Sequence, residues 1–538
     1  MVYTVIRILV IAACCTLAGV RAMHVLQAGR YQTPELRREL RRYGDVLVWT
    51  DVLIAAIVSV VNWYMPVLFS MFMQQAAARE ALCNWLMLPL FMGAAAFSYF
   101  RKQRVPLKKS FNMSQRMGRL MGVVFVLNLL GALVLYLLTL SPYLMFAGAD
   151  YAVLLAAIIT RPLEDQINAR YYRSARRRLL EHKGLIRIGI TGSYGKTETK
   201  LILKSILSEK YRVLATPPSF SSAMGASRVI HEQLTRKHEV FIAELGAQKR
   251  GEVREIAKVI RPKYGILTCV GEAHLDSFGS LETVAQTKYE LIQSLPKTGA
   301  AFFGSDGGFG DRLYALCPMK EKYRAAVGSE VESYMRAEHV ETNVKGTRFE
   351  LICENGECAW VQTKLLGTYA ARNIALAAAV AHKLGLNMEE IKRGIEKIRP
   401  IRGHLQLVPG EINVIDDSLN TLPECAAEAL HILSEFPGRR IVVTAGMTEL
   451  EKGASDANYQ LGMQIAASAD YAILIGPEET RQVLAGISTD SDFPHSSIRM
   501  VRDPEDAANL VKEIAEAGDT VLYEGVYPEA EEDDEDEE

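Results

Sequence analysis

Apolar runs long enough to cross a bilayer recur five times before residue 161, near 3–20, 47–72, 81–100, 120–140 and 143–160. A bilayer core about 30 Å thick asks for roughly 20 such residues per helix. A soluble bundle of buried helices is the competing reading, and clusters of arginine between the runs argue against it. Ser141-Pro142, between the fourth and fifth runs, suits a short hairpin. The first loop carries Arg21, Arg30, Arg37, Arg38, Arg41 and Arg42; the third carries Arg101, Lys102, Arg104, Lys108, Lys109, Arg116 and Arg119. The second offers only Arg79 and the fourth no basic residue. Positive loops stay in the cytoplasm, so the pattern predicts an outside N-terminus, a multi-pass plasma-membrane protein, and cytoplasmic domains after residue 160. Arg161 to Lys183, rich in arginine with Tyr171 and Tyr172, reads as an interfacial linker helix. Ile11-Ala12-Ala13-Cys14 loosely fits a lipoprotein cleavage box, but the apolar core after Arg7 is short for a signal peptide.

Charge separates the chain into unlike parts. Residues 1–183 hold 22 Lys and Arg against 9 Asp and Glu, whereas the remainder up to residue 528 is mildly acidic and 529–538 is almost wholly acidic. The net charge of −2 over 538 residues hides this partition. With 49% hydrophobic residues, a wholly disordered chain is excluded. The eight cysteines show no C-x-x-C pair or matching His spacing, which disfavours a zinc site and a disulfide framework. The basic excess belongs to membrane-flanking loops, so no nucleic-acid partner is expected. The expected domains are 1–160 (transmembrane, about five helices), 161–184 (linker helix), 185–398 (central), 399–528 (C-terminal) and 529–538 (acidic disordered tail).

The central domain opens on Leu185 to Ile190, a β-branched run, followed by Thr191-Gly192-Ser193-Tyr194-Gly195-Lys196-Thr197 and a helical stretch from Glu198 to Glu209. Strand, glycine loop, Lys-Thr and helix form the setting of a phosphate-binding loop. Backbone N–H groups approach an anion there, the helix start adds positive potential, Lys196 can reach a transferred phosphate and Thr197 can ligate Mg²⁺. Ile190 stands where the common Walker pattern has its first glycine. Downstream, strand Val240 to Ala243 ends in Glu244, and strand Tyr264 to Val270 leads to His274. Both stand at strand C-termini, where side chains can hold a metal ion; a surface glutamate and a hydrogen-bonded loop histidine are the plainer readings.

These motifs resemble the Mur ligase family of ATP-dependent amide-forming enzymes, whose phosphate loop reads T-G-x-x-G-K-T. The resemblance runs from about 185 to 525 and implies an ATP and Mg²⁺ site. It places Thr191, Gly192, Ser193, Gly195, Lys196 and Thr197 on the nucleotide, and Thr197, Glu244 and His274 on the metal. Thr287-Lys288-Tyr289-Glu290 matches the family's A-K-x-E segment, whose lysine is carbamylated in several members, so Lys288 joins Lys196 and His274 as an expected catalytic residue. Asn373 matches the adenine-reading Asn of G-x-H-N-x-x-N, although Tyr369 and Ala370 replace the His-Asn. Asp417 follows as a ribose or phosphate-side contact, with helix capping as its plainer role. His404 occupies the place of an arginine that reaches the nucleotide; imidazole lacks the guanidinium fork and permanent charge.

From Ile412 onward, strands and helices alternate with short connections, which predicts a parallel Rossmann-like sheet without a G-x-G-x-x-G fingerprint. The expected fold class is therefore an α-helical membrane region followed by α/β domains, a P-loop central domain and a Rossmann-like C-terminal one. The resemblance implies an ADP-forming carboxylate–amine ligase that works through an acyl phosphate. The family's precursor-binding first domain is replaced by spans, and serines stand in for an asparagine-rich segment over Thr216 to Ser222. Small-molecule or lipid-linked carboxylate and amine substrates near the bilayer, from a wall precursor or an amino-acid polymer such as poly-gamma-glutamate, are expected. An ATP-sensing membrane scaffold is the second reading, and a transporter is disfavoured because the spans show no duplicated halves.

Overall fold

The computed structural model describes all residues except 1, 30, 74, 105–109, 219, 272–274, 420–422, 448–452, 491 and 527–538, and within helices leaves aside the side chains at 35, 45, 76–81, 84, 275, 276 and 424. His274 and the acidic tail expected at 529–538 thus lie outside the described residues. The chain divides into two compact units, 1–170 and 171–538.

The first unit is helical: α1 Val2–Ala18, α2 Val20–Ala28, α3 Thr33–Arg42, α4 Thr50–Ser70, α5 Ala76–Lys102, α6 Gln115–Leu137 and the start of α7 Ala149–Glu181. Among the described residues four stretches are long and apolar enough to cross a bilayer, Val2–Ala28, Val46–Ser70, Gln115–Leu137 and Pro142–Glu181. The remaining expected run, 81–100, forms the interior of the 27-residue α5. Ile11, Cys15, Met87, Phe91, Ala132, Tyr143 and Phe146 pack inside the unit, while Leu53, Ile57, Val60, Trp63 and Val67 of α4 face outward. The buried Lys102 is compensated, as a buried charge requires: its Nζ donates to Asp51 Oδ2 at 2.6 Å, Asp150 Oδ2 at 2.7 Å and the Ala18 carbonyl at 3.1 Å. The last apolar run and the basic linker are a single helix, because Pro162 removes one backbone hydrogen bond of α7 without ending it.

The second unit holds two sheets. In chain order come β1 Ile186–Thr191, α8 Lys196–Leu207, β2 Val213–Ala215, α9 Ala223–Glu232, β3 Val240–Glu244, α10 Glu252–Ile260, β4 Tyr264–Leu267, α11 Leu275–Phe278, α12 Leu281–Gln293, β5 Ala300–Gly304, α13 Phe309–Leu316 and β6 Lys322–Val327. Then follow β7 Met335–Asn343, β8 Gly346–Cys353, β9 Cys358–Thr363, α14 Gly367–Lys383 and α15 Met388–Glu396. The nine strands run in the order β2-β3-β1-β4-β5-β6-β7-β8-β9, parallel through β7 and antiparallel beyond it. β1 and β3–β5 are apolar nearly throughout, as strands covered on both faces must be. α14 is alanine-rich because it lies in the core, with Ala375 through Ala381 buried.

The second sheet is built from β10 Gln406–Val408, β11 Asn413–Asp417, β12 Arg440–Thr444, β13 Tyr471–Ile475, β14 Ile498–Val501 and β15 Thr520–Glu524, with α16 Pro423–Ser434, α17 Ala454–Ser468, α18 Arg481–Ile487 and α19 Pro504–Ile514 between them. Its order is β10-β11-β15-β12-β13-β14, parallel except for β10. The alternation expected from Ile412 onward gives the parallel strands β11 to β15, and the antiparallel β10 precedes that stretch.

Candidate active site

β1 lies between β3 and β4, with β4 reached only after the chain has built the β2–β3 side of the sheet. The crevice at the carboxyl ends of such strands is where α/β sheets bind ligands. The chain leaves β1 there and turns through 192–195 into α8. Gly192 has φ +153°, and a Cβ on it would sit 1.9 Å from Thr268 Oγ1; Gly195, at φ +71°, caps α8 and would press on Asn373 at 2.9 Å. Larger residues cannot close this loop. It is also anchored: Ser193 N donates to the Cys269 carbonyl at 2.9 Å, Ser193 Oγ to the Gly271 carbonyl at 3.0 Å, and Thr191 Oγ1 to the Leu245 carbonyl at 2.9 Å.

Lys196 Nζ folds back over the loop and donates to the Ser193 carbonyl at 2.8 Å. Burial pulls its pKa down, opposed by the charge of Glu244. Thr197 Oγ1 donates to Glu244 Oε2 at 2.9 Å, which brings two of the expected metal ligands together. Lys200 Nζ, fully buried, donates to the same oxygen at 2.9 Å. Oε1 of Glu244 has no partner among the described residues. Lys288, buried on α12, lies 5.8 Å from the centre of the Phe278 ring. Burial first, and then the neighbouring charge of Lys196, lower its pKa to about 7.

Beside the loop a cavity of about 270 Å³ is lined by Ser193 to Glu198, by Tyr369, Arg372 and Asn373 of α14, and by His404 and Glu428. Asn373 Nδ2 donates to Glu198 Oε2 at 2.5 Å, so this amide fixes the first turn of α8 from beneath. Arg372 lies over the Tyr369 ring at 4.7 Å, a flat cationic pair on the cavity wall. His404 is exposed at its mouth. Asp417 is not among the lining residues. It is fully buried and accepts the Leu405 N–H at 2.9 Å, while Asp416 accepts the Gly403 N–H at 3.0 Å; together they brace the segment that presents His404.

Two residues escaped the sequence reading. Lys200 stands one turn after Lys196 on the inward stripe of α8, and a lysine among Ile202, Leu203 and Ile206 was the available signal. Glu428 of α16 accepts the Thr368 N–H at 3.0 Å and Thr368 Oγ1 at 2.9 Å, capping α14 from the other sheet's layer. No local pattern announces such a cap.

Comparison with known proteins agrees with this geometry. Residues 190–381 match the family model described as Mur ligase middle domain, and 403–526 the one described as Mur ligase, glutamate ligase domain. The UDP-N-acetylmuramoyl-tripeptide–D-alanyl-D-alanine ligase of Treponema pallidum is 32% identical over 302 residues, which are 56% of this chain and 63% of that protein. The chain thus spans less than two thirds of that relative's length. A crystal structure of MurF from Acinetobacter baumannii aligns with a TM-score of 0.59 at 23% identity, covering 66% of this chain and 77% of that one. A MurF ligase from Thermotoga maritima, in complex with ADP, aligns at 0.58 and 23%, covering 66% and 80%. Both structures speak to the fold of the second unit. With the two domain models matched in chain order over more than half of its residues, the chain belongs to the Mur ligase family.

Proposed function

We propose that this chain is a membrane-anchored, ATP-dependent carboxylate–amine ligase that releases ADP and acts on a cell-wall precursor or a related amino-acid polymer. The observation that carries the reading is the convergence of Thr197 Oγ1 and Lys200 Nζ on Glu244 Oε2 beside a glycine cradle that no Cβ could enter. Such a cradle fits a polyphosphate, and a carboxylate with one free oxygen next to a hydroxyl fits Mg²⁺. Thr191, Gly192, Ser193, Gly195, Lys196 and Thr197 would hold the phosphates. Glu244 and Thr197, with His274, would hold the metal. Tyr369, Arg372, Asn373 and His404 would flank the nucleoside, while Asp417 would act through the segment it braces.

ATP would supply the phosphoryl group that activates a substrate carboxylate as an acyl phosphate, and Mg²⁺ would offset charge on its oxygens. Lys196 and the loop N–H groups stabilise negative charge building at the transferred group. Lys288 has a neutral amine over much of the physiological range, and a neutral amine adds to CO₂: an N–C bond forms, one amine proton leaves to solvent, and a carbamate anion stands in place of the neutral amine. That anion would orient a second cation or the activated carboxylate, toward which an incoming amine then forms the amide. Closure of the cavity between the two sheets excludes water from the activated carboxylate.

Membrane anchoring is supported by the length of the helices and by the outward apolar faces of α4. The basic loops support a cytoplasmic catalytic unit, and a tag at the C-terminus that is reached from outside intact cells would overturn this. Purified full-length protein should release ADP only when carboxylate and amine are both supplied, and lipid-linked acceptors should outperform the soluble precursor. Full activity on the soluble nucleotide precursor alone would refute the membrane-proximal acceptor. A Lys196→Ala variant that keeps its cellular role would favour an ATP-sensing scaffold over an enzyme.

A further inference from the structure

A second cavity, of about 810 Å³, opens at the amino ends of the first sheet's central strands. Arg187 is the second residue of β1, and Arg261 and Pro262 lie three and two residues ahead of Tyr264, where β4 begins. The phosphate loop follows the opposite ends of these strands, about 20 Å away for a six-residue strand. The cavity therefore takes no part in the chemistry described above.

Its charge is one-sided. Arg176 of α7, Arg187, Arg254 and Lys258 of α10, and Arg261 line it, against a single carboxylate, Glu290. Glu290 is already engaged: its oxygens accept the Gly251 N–H at 3.1 Å and the Arg254 N–H at 3.0 Å, with the Arg254 guanidinium at 3.7 Å. Arg187 Nε donates to the Arg261 carbonyl at 2.9 Å. Among the described residues the side chains of Arg176, Lys258 and Arg261 have no carboxylate partner. Cations do gather at helix C-termini, and α7, α10 and α12 all end here. Each end carries roughly half a negative charge, so together with Glu290 they offset only about half of the five cations. Burial, and then Arg261, pull the Arg187 pKa down, as expected for cations crowded without a counterion. Arg261 itself caps α10 at φ +47°, a conformation that costs a residue with a Cβ about 1 kcal/mol. A long guanidinium side chain is held where glycine would be the relaxed choice.

We infer that this cavity is a binding site for a phosphate-bearing anion of two or more charges, a diphosphate or a clustered phosphate headgroup. Guanidinium forks pair with phosphate oxygens two at a time, and the uncompensated charge exceeds what one carboxylate would neutralise. The same chemistry is offered by a soluble diphosphate and by an anionic lipid. The lipid source is a natural one to test, because α7, which supplies Arg176, is continuous with the apolar run at 143–160. The inference is independent of the ligase reading.

The test uses the full-length chain in nanodiscs of neutral phosphatidylcholine, in a Lys196→Ala background that removes anion binding at the phosphate loop. Radiolabelled pyrophosphate should bind saturably. R176Q/K258Q, two exposed positions, should weaken that binding at least tenfold without altering the melting temperature; Arg187→Gln, half-buried, serves as a second variant. In discs containing phosphatidylglycerol, competition with pyrophosphate identifies the lipid headgroup as a ligand, and undiminished pyrophosphate binding identifies a soluble anion. Equal affinity in the parent and in R176Q/K258Q, or no pyrophosphate binding together with no retention of phosphatidylglycerol, overturns the site.

Discussion

Lys200 Nζ and Glu244 Oε2 are 2.9 Å apart in the interior of the second unit, and the lysine is fully buried. A buried carboxylate deprived of its partner typically costs about 3–5 kcal/mol. Lys200→Met should therefore lower the melting temperature of the full-length protein in chelator. It should also sharpen the response to Mg²⁺, because Glu244 would then have lost the ammonium that contacts it directly. Millimolar Mg²⁺ should restore part of the loss in Lys200→Met and none in Glu244→Gln, whose neutral amide offers no charge to the metal. Thermal melts with and without Mg²⁺ decide it; an identical Mg²⁺ response in both variants would remove Glu244 from the metal site.

Lys288 should be the most pH-sensitive group of the catalytic unit. Its pKa near 7 lies below the ordinary 10.5. Between those values the unfolded chain holds a proton that the folded chain does not, so the contribution of Lys288 to stability grows as pH rises through this window and is lost as pH falls toward 7. The neutral amine is also what adds to CO₂. ADP release should rise with pH through about 7 and with added bicarbonate, and ¹³C-bicarbonate should give a carbamate resonance that disappears in Lys288→Arg. Bicarbonate-independent activity with no carbamate signal would leave Lys288 as a plain buried amine.

Asp417 and Glu524 are neighbours across β11 and β15, both buried. Burial, and then the Asp417 charge, push the Glu524 carboxyl well above its ordinary 4.5. A raised acid contributes fully to stability below pH 4.5 and loses that contribution as pH rises through its folded value. Glu524→Gln keeps a donor toward Asp417 at every pH. It should stabilise the protein by about 1–3 kcal/mol at neutral pH and converge with the parent toward pH 4. Melting curves across that range suffice, and a variant less stable at pH 7 would refute the raised pKa of Glu524.

Glu428 should govern how α14 is held. Removing its carboxylate strips the cap from Thr368 N and Oγ1 and leaves the first turn of α14 open, a loss of about 1–2 kcal/mol. Glu428→Ala should speed hydrogen exchange at 368–370 while amides in the middle of α14, deep in the core, keep their protection. Unchanged exchange at these amides would show that the cap is dispensable.

The parts of this fold legible in the sequence are those where a side-chain pattern and a local conformation coincide. The phosphate loop was legible because Gly192 and Gly195 are required by the backbone, and the parallel strands because burial on both faces leaves little but Val, Ile, Ala and Phe. Lys288 was found by its motif, yet its lowered pKa comes from burial and from Lys196, ninety-two residues earlier, which no local spacing reveals. Lys200 and Glu428 were missed for the same reason: their partners, Glu244 and Thr368, are distant in sequence. Asp417 was expected beside the nucleotide because the family resemblance implies it, and only the antiparallel return of β10 shows that it accepts the Leu405 N–H in the segment beside His404.

His404 is the position where a single substitution should raise activity. It lines the mouth of the cavity, on the segment that Asp416 and Asp417 hold through the N–H groups of Gly403 and Leu405. The backbone there is thus fixed whatever side chain it carries, and the residue is exposed, so a longer side chain meets no packed core. Imidazole lacks the planar fork and permanent charge of guanidinium, which offers two parallel donors to a phosphate. One added charge-assisted hydrogen bond is worth about 1.5 kcal/mol, close to a factor of ten. His404→Arg should lower KM for ATP by about that factor if the side chain binds ground-state nucleotide, or raise kcat if it reaches the transferring group. A variant with unchanged KM and kcat would show that the nucleotide does not reach this edge of the cavity.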